Sequence, residues 1–210
     1  MANRLPIPDL AAFEAFLIST GRQNPVILLE GKRSIPGADS PKLVQLGKIL
    51  AQRFTHLHFR SGNAKGADAL FSSGVAAVSP ERLQQVIPYR THRKTVAIEG
   101  IYTIPLEDVN LVSEPDVIQY TADANKAAAG LIPQWLEGKT NRLTAKVPYL
   151  LRDTVKVLGS VSASLEPADF AIFYDDLAKP RSGGTGHTMK ICEKHSVPYI
   201  DQTVWMKWFD

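Results

Sequence analysis

Residues 168–201 read ADFAIFYDDLAKPRSGGTGHTMKICEKHSVPYID. The opening ADFAIFYD is a short apolar run of the kind a strand buried on both faces presents. It runs into a loop in which Gly183, Gly184 and Gly186 fall within four positions. A helix to about His195 follows, and VPYID closes as the last core strand. Strand, loop, helix and strand make a βαβ unit, whose two strands lie parallel in one sheet.

Working outward, the same alternation recurs. VILLE at 26–30 ends at Gly31 and reads as another buried strand. Ser40-Pro41 supplies an N-cap and a first-turn proline for a helix to about Phe54, with Leu43, Leu46, Ile49 and Leu50 inward. THLHFRSG at 55–62 alternates as a strand does and stops at Ser61-Gly62. KGADALFSSGVAAVS at 65–79 is helical in composition, and RLQQVIPY makes a strand ended by Pro88. Ahead of all this, LAAFEAFLIS at 10–19 puts Leu10, Phe13, Phe16 and Leu17 on one helical face, so residues 1–25 carry a helix packed on the body. Residues 89–115 are less regular, with VAIEGIYTIP extended; 116–129 and 141–158 read as helices. The order predicts an α/β fold in one domain over 1–210. It is a Rossmann-like, doubly wound, mainly parallel sheet with helices on both faces, plus a helical insertion or lid at about 91–147.

Composition narrows the function classes. With 24 basic and 21 acidic residues the net charge is +3, too small to indicate nucleic acid by itself. The single cysteine, Cys192, excludes an intrachain disulfide and reads as a small buried hydrophobe. No apolar run approaches the ~20 residues of a membrane span, and no signal-peptide core follows the first residues. A cytoplasmic protein without a membrane partner is the expectation. His56 and His58 share a strand face but lack a third ligand, so no metal is expected, and no cofactor is identified.

In a doubly wound sheet, ligands bind beyond the carboxyl ends of the strands. Three polar, glycine-bearing loops leave strands there: 31–40, 60–68 and 179–188. Glycine lets a ligand approach the backbone, and a helix N-terminus adds unpaired N–H groups and partial positive charge, a combination suited to phosphate. Ser182, Thr185 and Thr188 add hydroxyls; Arg33, Lys65 and Arg181 add charge. A P-loop would place Lys-Ser/Thr after the last glycine, where His187-Thr188 stands, and a dinucleotide fingerprint would place glycine or alanine at Met189. His187 reads as a phosphate donor, a general acid or a surface residue. The basic run YRTHRK at 89–94 either rims the same pocket or is a solvated loop.

VILLEGKRS, an apolar strand ending in Gly-x-Arg-Ser, resembles the first loop of the SLOG superfamily, which includes DprA-type DNA-processing proteins and LOG-type phosphoribohydrolases. RSGNAKGAD is similar to its second loop at Ser61, Gly62, Ala64, Gly66, Ala67 and Asp68. Arg152 and Asp153 take the places of an Arg-Asn/Asp pair before the strand that leads to the glycine loop. The resemblance spans about 26–90 and 148–201. It implies a pocket for a nucleotide or nucleotide-derived ligand formed by Gly31, Arg33 and Ser34 from the first loop. Ser61, Gly62, Lys65, Gly66 and Asp68 come from the second, with Arg152, and Ser182, Gly183, Gly184, Thr185, Gly186 and Thr188 from the third.

LOG-type enzymes place a glutamate where this chain has Lys190, which cannot take that proton-accepting role; Glu193 lies one helical turn further on. Three readings follow. The first is a binder of a phosphate-bearing, nucleotide-like small molecule, with Arg33 and Arg152 as charge partners and Asp68 orienting a ribose hydroxyl or a loop amide. The second is a nucleoside-monophosphate glycosidase or nucleotide hydrolase using Glu193, Asp68 or Asp175. The third is a DprA-like binder of single-stranded nucleic acid, its groove rimmed by Arg33, Arg60, Lys65, Arg90, Arg93, Lys94 and Arg181. Trp135, Trp205, Trp208 and Phe209 read as packing or dimer contacts, and exposure of the C-terminal VWMKWF would favour a homo-oligomer.

Overall fold

The computed structural model describes residues 7–92 and 99–209. Its centre is a six-stranded sheet in which all neighbours run parallel. The strands are β1 (Val26–Gly31), β2 (His58–Ser61), β3 (Leu83–Ile87), β4 (Tyr102–Pro105), β5 (Phe170–Tyr174) and β6 (Tyr199–Ile200). The helices are α1 (Leu10–Ser19), α2 (Ser40–Arg53), α3 (Ala67–Ala76), α4 (Pro115–Ala124), α5 (Lys126–Ala129), α6 (Ile132–Leu136), α7 (Val147–Leu158), α8 (Gly183–Lys194) and α9 (Gln202–Trp205).

The strand order is β4-β3-β2-β1-β5-β6. The chain therefore moves outward from β1 to β4, returns to lay β5 on the other side of β1, and continues to β6. Between β1 and β5 the helical connections diverge, leaving a crevice at their carboxyl ends, as in other doubly wound sheets.

Period-two alternation divides the strand side chains between two layers. Ile27, Leu29, Phe59, Phe170 and Ile172 face α1, α2, α3 and α9. Leu28, Ala171 and Phe173 face the opposite way, onto Val157 of α7 and Met189, Ile191 and Cys192 of α8. A second cluster on that side joins Val86 and Ile104 to Val117, Ile132, Val147, Leu151 and Val155.

Several elements differ from the sequence expectation in physically clear ways. The 91–147 segment supplies the edge strand β4 as well as helices, and α4 packs on both α7 and α8. The stretch 116–129 breaks at Asn125 into α4 and α5. The helix expected over 141–158 begins at Val147, where Pro148 presets the first turn. Asp39 is the N-cap of α2, one residue ahead of Ser40, and its carboxylate accepts from the Tyr174 hydroxyl instead of from a helix amide. The C-terminal aromatics close on their own chain. Trp205 is buried and donates from its indole to the Phe173 carbonyl, and Trp208 lies against Phe13 and donates to the Ile7 carbonyl. The exposed tail that would have favoured a homo-oligomer is thus absent among the described residues.

Candidate functional site

β2, β1 and β5 are neighbours, so all three expected loops emerge at one edge of the sheet. Asp68, in the first turn of α3 and 2% exposed, ties two of them together. One carboxylate oxygen accepts from the Gly31 amide at 3.1 Å; the other accepts from Gly62 at 3.1 Å and Ala64 at 3.4 Å. Gly66 has φ +87°, and a Cβ there would lie 2.3 Å from the Arg33 carbonyl oxygen. A Cβ on Gly62 would lie 1.5 Å from Nη1 of Arg152. These glycines let the protein pack against itself: 61–66 closes on 31–33, and the Arg152 guanidinium lies against Gly62.

Arg152 belongs to a buried charge cluster. α7 repeats every 3.6 residues, so Arg152, Asp153 and Lys156 project toward the sheet together. Arg152 Nε lies 3.3 Å from Asp153, whose same oxygen is 2.9 Å from the Lys156 ammonium. Lys156 also reaches Glu30 on β1 at 2.6 Å, and the Thr188 hydroxyl donates to the other Glu30 oxygen at 3.0 Å. Nearby, Arg60 donates to Gln84 and to the Lys156 carbonyl, and burial pulls its pKa down to about 10.

Burial pushes the Glu30 carboxyl up to about 8, against the pull of Lys156. Burial also raises Asp68, against Lys156, Arg152 and the Gly31 amide. For Asp153 burial acts the same way, but Arg152 and Lys156 together outweigh it and hold the carboxyl below the usual range. Lys156 keeps its proton despite burial because Asp153 and Glu30 both face it. Such a cluster is costly to desolvate and adds little net stability, so positioning one of its members is the better account of it. That member is Arg152: it is 5% exposed, and its Nη1 has no hydrogen-bond partner. The neighbouring Ser61 hydroxyl is also buried without one.

The third loop is built differently. Ser182, the N-cap of α8, makes no side-chain capping bond. Gly183 has φ +61° with open space where a Cβ would be, and Gly184 has only an Asp153 carboxylate oxygen, 3.3 Å from that position. Gly186 is the tight one, its Cβ position 1.9 Å from the Arg181 carbonyl oxygen. Thr185 and Thr188 are buried, and the Thr188 hydroxyl is committed to Glu30 and the Gly184 carbonyl. His187 is buried as well, with Nε2 3.2 Å from the Leu150 carbonyl oxygen.

Arg33, Ser34 and Lys65 stand exposed on the rim. Of the three carboxylates weighed as acid or base, Asp68 is occupied by loop amides. Glu193 is taken up by Arg181 and the Tyr199 hydroxyl. Asp175 accepts from the Arg181 amide at 2.9 Å and keeps its other oxygen buried and unpartnered. Within 89–94, Arg90 turns away to Glu107 and Asp108, and Arg93 and Lys94 lie outside the described residues.

Sequence reasoning missed an aromatic wall. Tyr89, after β3, and Tyr149, in the first turn of α7, share a hydroxyl–hydroxyl bond of 2.7 Å. Their rings and His92 meet edge to face at 5.3–6.0 Å. Burial and the Tyr89 bond raise the Tyr149 hydroxyl pKa, opposed by the Arg33 and Arg152 guanidiniums, so the wall lies within electrostatic reach of both arginines. Glu30 and Lys156 were also missed. The available signals were a carboxylate closing an otherwise apolar strand, and a lysine three and four residues beyond an Arg-Asp pair.

No family model matches the chain, and no curated protein matches it in sequence. Among solved structures, DNA processing protein A from Helicobacter pylori, described with a single-stranded DNA binding mode, is similar at 13% identity and a TM-score of 0.49. The similarity covers 86% of this chain and 66% of that one. Among the described residues no helix is long and apolar enough to cross a membrane.

Proposed function

We propose that this edge of the sheet binds a nucleotide-like, phosphate-bearing small molecule, the role a SLOG-type pocket would have. The observation that carries the reading is Arg152: a buried guanidinium ion-paired with Asp153, with neither Nε nor Nη1 hydrogen-bonded, at the switch point of a doubly wound sheet. The phosphate sits between this group and the amides at Gly183 and Gly184, where backbone N–H groups and the helix dipole both favour an anion. Arg33 and Lys65 add charge from the rim. The base lies against Tyr89, His92 and Tyr149. The wall at the end of β3 and the start of α8 beyond β5 are separated by three inter-strand steps, about 14 Å at ordinary sheet spacing, which suits an extended ligand. Asp68 orients loop amides, and Glu193 serves an ion pair, so the reading is binding without turnover.

Calorimetry with nucleoside phosphates, coupled to product analysis, tests this. A nucleotide that binds, is recovered intact, and loses affinity in Gly184→Asp supports the reading, since that substitution sets a carboxylate at an open helix start. Consumption of the nucleotide would shift the assignment to a glycosidase or hydrolase with Asp175 as the candidate acid or base.

The aromatic wall within electrostatic reach of Arg33 and Arg152 favours a second reading, single-stranded nucleic acid, because aromatic platforms and cations together serve such strands. Binding of a short oligonucleotide with a steep salt dependence, unmatched by any mononucleotide, would select it.

A further inference from the structure

The start of α8 also borders a second space. A cavity of about 660 Å³ lies between the first turns of α7 and α8 and the junction of α4 with α5. Its lining holds Lys126, Lys146, Arg181 and Lys190 and no carboxylate. Lys126 pairs with Asp123, and Arg181 with Glu193, neither of which lines this cavity. Lys146 and Lys190 make no ion pair among the described residues. The amide end of α8, a helix of 12 residues without a side-chain cap, opens on the same space through Ser182 and Gly183.

A buried histidine points to a ligand independently. His187 lines the cavity, is 4% exposed, and has Nε2 engaged with the Leu150 carbonyl and the Thr154 hydroxyl. Its Nδ1 has no partner; because Nε2 donates to the Leu150 carbonyl, Nδ1 meets an anionic oxygen only as the second donor of an imidazolium, the form that a bound anion beside the ring favours. Two lysines without ion pairs, two further cations shared with Asp123 and Glu193 of the adjoining space, an uncapped helix start and a histidine ring surround one volume. They match several linked anionic groups, each with oxygens to spare for ammonium, guanidinium and amide donors.

We infer that this cavity takes a condensed phosphate chain of two or more phosphoryl groups, the extended tail of the nucleotide proposed above, on which reading the nucleotide part of this inference rests. The ligand class is then a nucleoside di- or triphosphate, and selectivity over the monophosphate comes from Lys146 and Lys190. An inorganic oligophosphate presents the same chemistry without the base.

Calorimetry at 0.15 M salt ionic strength, where the Debye length is about 8 Å, limits nonspecific attraction. The ligands are a nucleoside mono-, di- and triphosphate sharing one base, and inorganic triphosphate. The proteins are the wild type, the Lys146→Ala/Lys190→Ala double variant, and a Lys48→Ala/Lys207→Ala control that removes the same charge elsewhere. Thermal melting verifies that each is folded. Tighter binding of the triphosphate than the monophosphate by about tenfold or more, lost in the double variant but not in the control, is the expected result. Equal affinity along the mono-, di- and triphosphate series, or no response to the double variant, overturns the cavity assignment while leaving the nucleotide reading standing. Binding of inorganic triphosphate that depends on Lys146 and Lys190, with no nucleotide bound, upholds the cavity and overturns the nucleotide reading. An equal loss in the control reduces the effect to net charge and overturns the inference.

Discussion

The turn from β2 into α3 and the turn into α8 have similar compositions, each rich in glycine with a serine and a basic residue, yet the fold uses them in opposite ways. In the first, the Gly62 and Ala64 amides are consumed by Asp68, Gly66 is pressed against the Arg33 carbonyl, and Gly62 lies under Arg152. In the second, Ser182 caps nothing, and Gly183 has empty space beside it. One loop is a fastening that holds a guanidinium in place; the other leaves its amide end open. A glycine-rich stretch therefore signals close approach, and what approaches is sometimes the protein itself.

The comparison breaks most visibly at the buried charges beneath the fastened loop. Lys156→Ala leaves Glu30 and Asp153 facing each other without their shared cation, and is expected to cost about 3–5 kcal/mol in urea unfolding. A loss under 1 kcal/mol would mean that Arg152 alone balances the cluster. Gly66→Ala adds a Cβ against a carbonyl at positive φ and is expected to cost about 3 kcal/mol, from overpacking and backbone strain together.

The protonation of Glu30 gives a pH-dependent test. Its carboxyl is raised from 4.5 to about 8 by burial, so the folded chain holds this proton more tightly than the unfolded chain. Its contribution to stability is fully present below pH 4.5 and is lost as pH rises toward 8. The stability difference between wild type and Glu30→Gln, measured across that range, should shift steadily in favour of the variant. A constant difference would show that Lys156 keeps Glu30 ionised throughout. The smallest effect belongs to the open loop: Gly183→Ala meets no neighbour and is expected to cost only about 1 kcal/mol, the strain of a left-handed residue. A loss as large as that of Gly66→Ala would erase the distinction between the loops.

Much of the architecture was legible because periodicity reports burial. The runs at 26–29 and 170–174 have no polar face, and Phe13 and Leu17 sit where a helix must turn inward, so strands and helices followed in order. Boundaries were less legible where a local signal had competition. Asp39 displaced Ser40 as the cap of α2, and β4 lay inside a segment that reads as an insertion because a short edge strand carries little periodic signal. At the site, the loops were identifiable from Gly31, Ser61, Gly66 and Gly184. The partners across the sheet were not, because Glu30 and Lys156 are far apart in sequence and no spacing rule links β1 to α7.

The sequence by itself determined the alternation of strand and helix, and with it the edge at which loops from β1, β2 and β5 gather. Local chemistry suffices for that, since apolar runs, first-turn prolines and glycine turns act within a few residues. Tertiary structure alone decided which glycines are fastened and which are open. It also decided that Arg152 is buried with a nitrogen to spare, and that Lys126, Lys146, Arg181 and Lys190 surround one cavity. Those properties depend on distances between residues remote along the chain, and on desolvation, which arises only when the layers close over them.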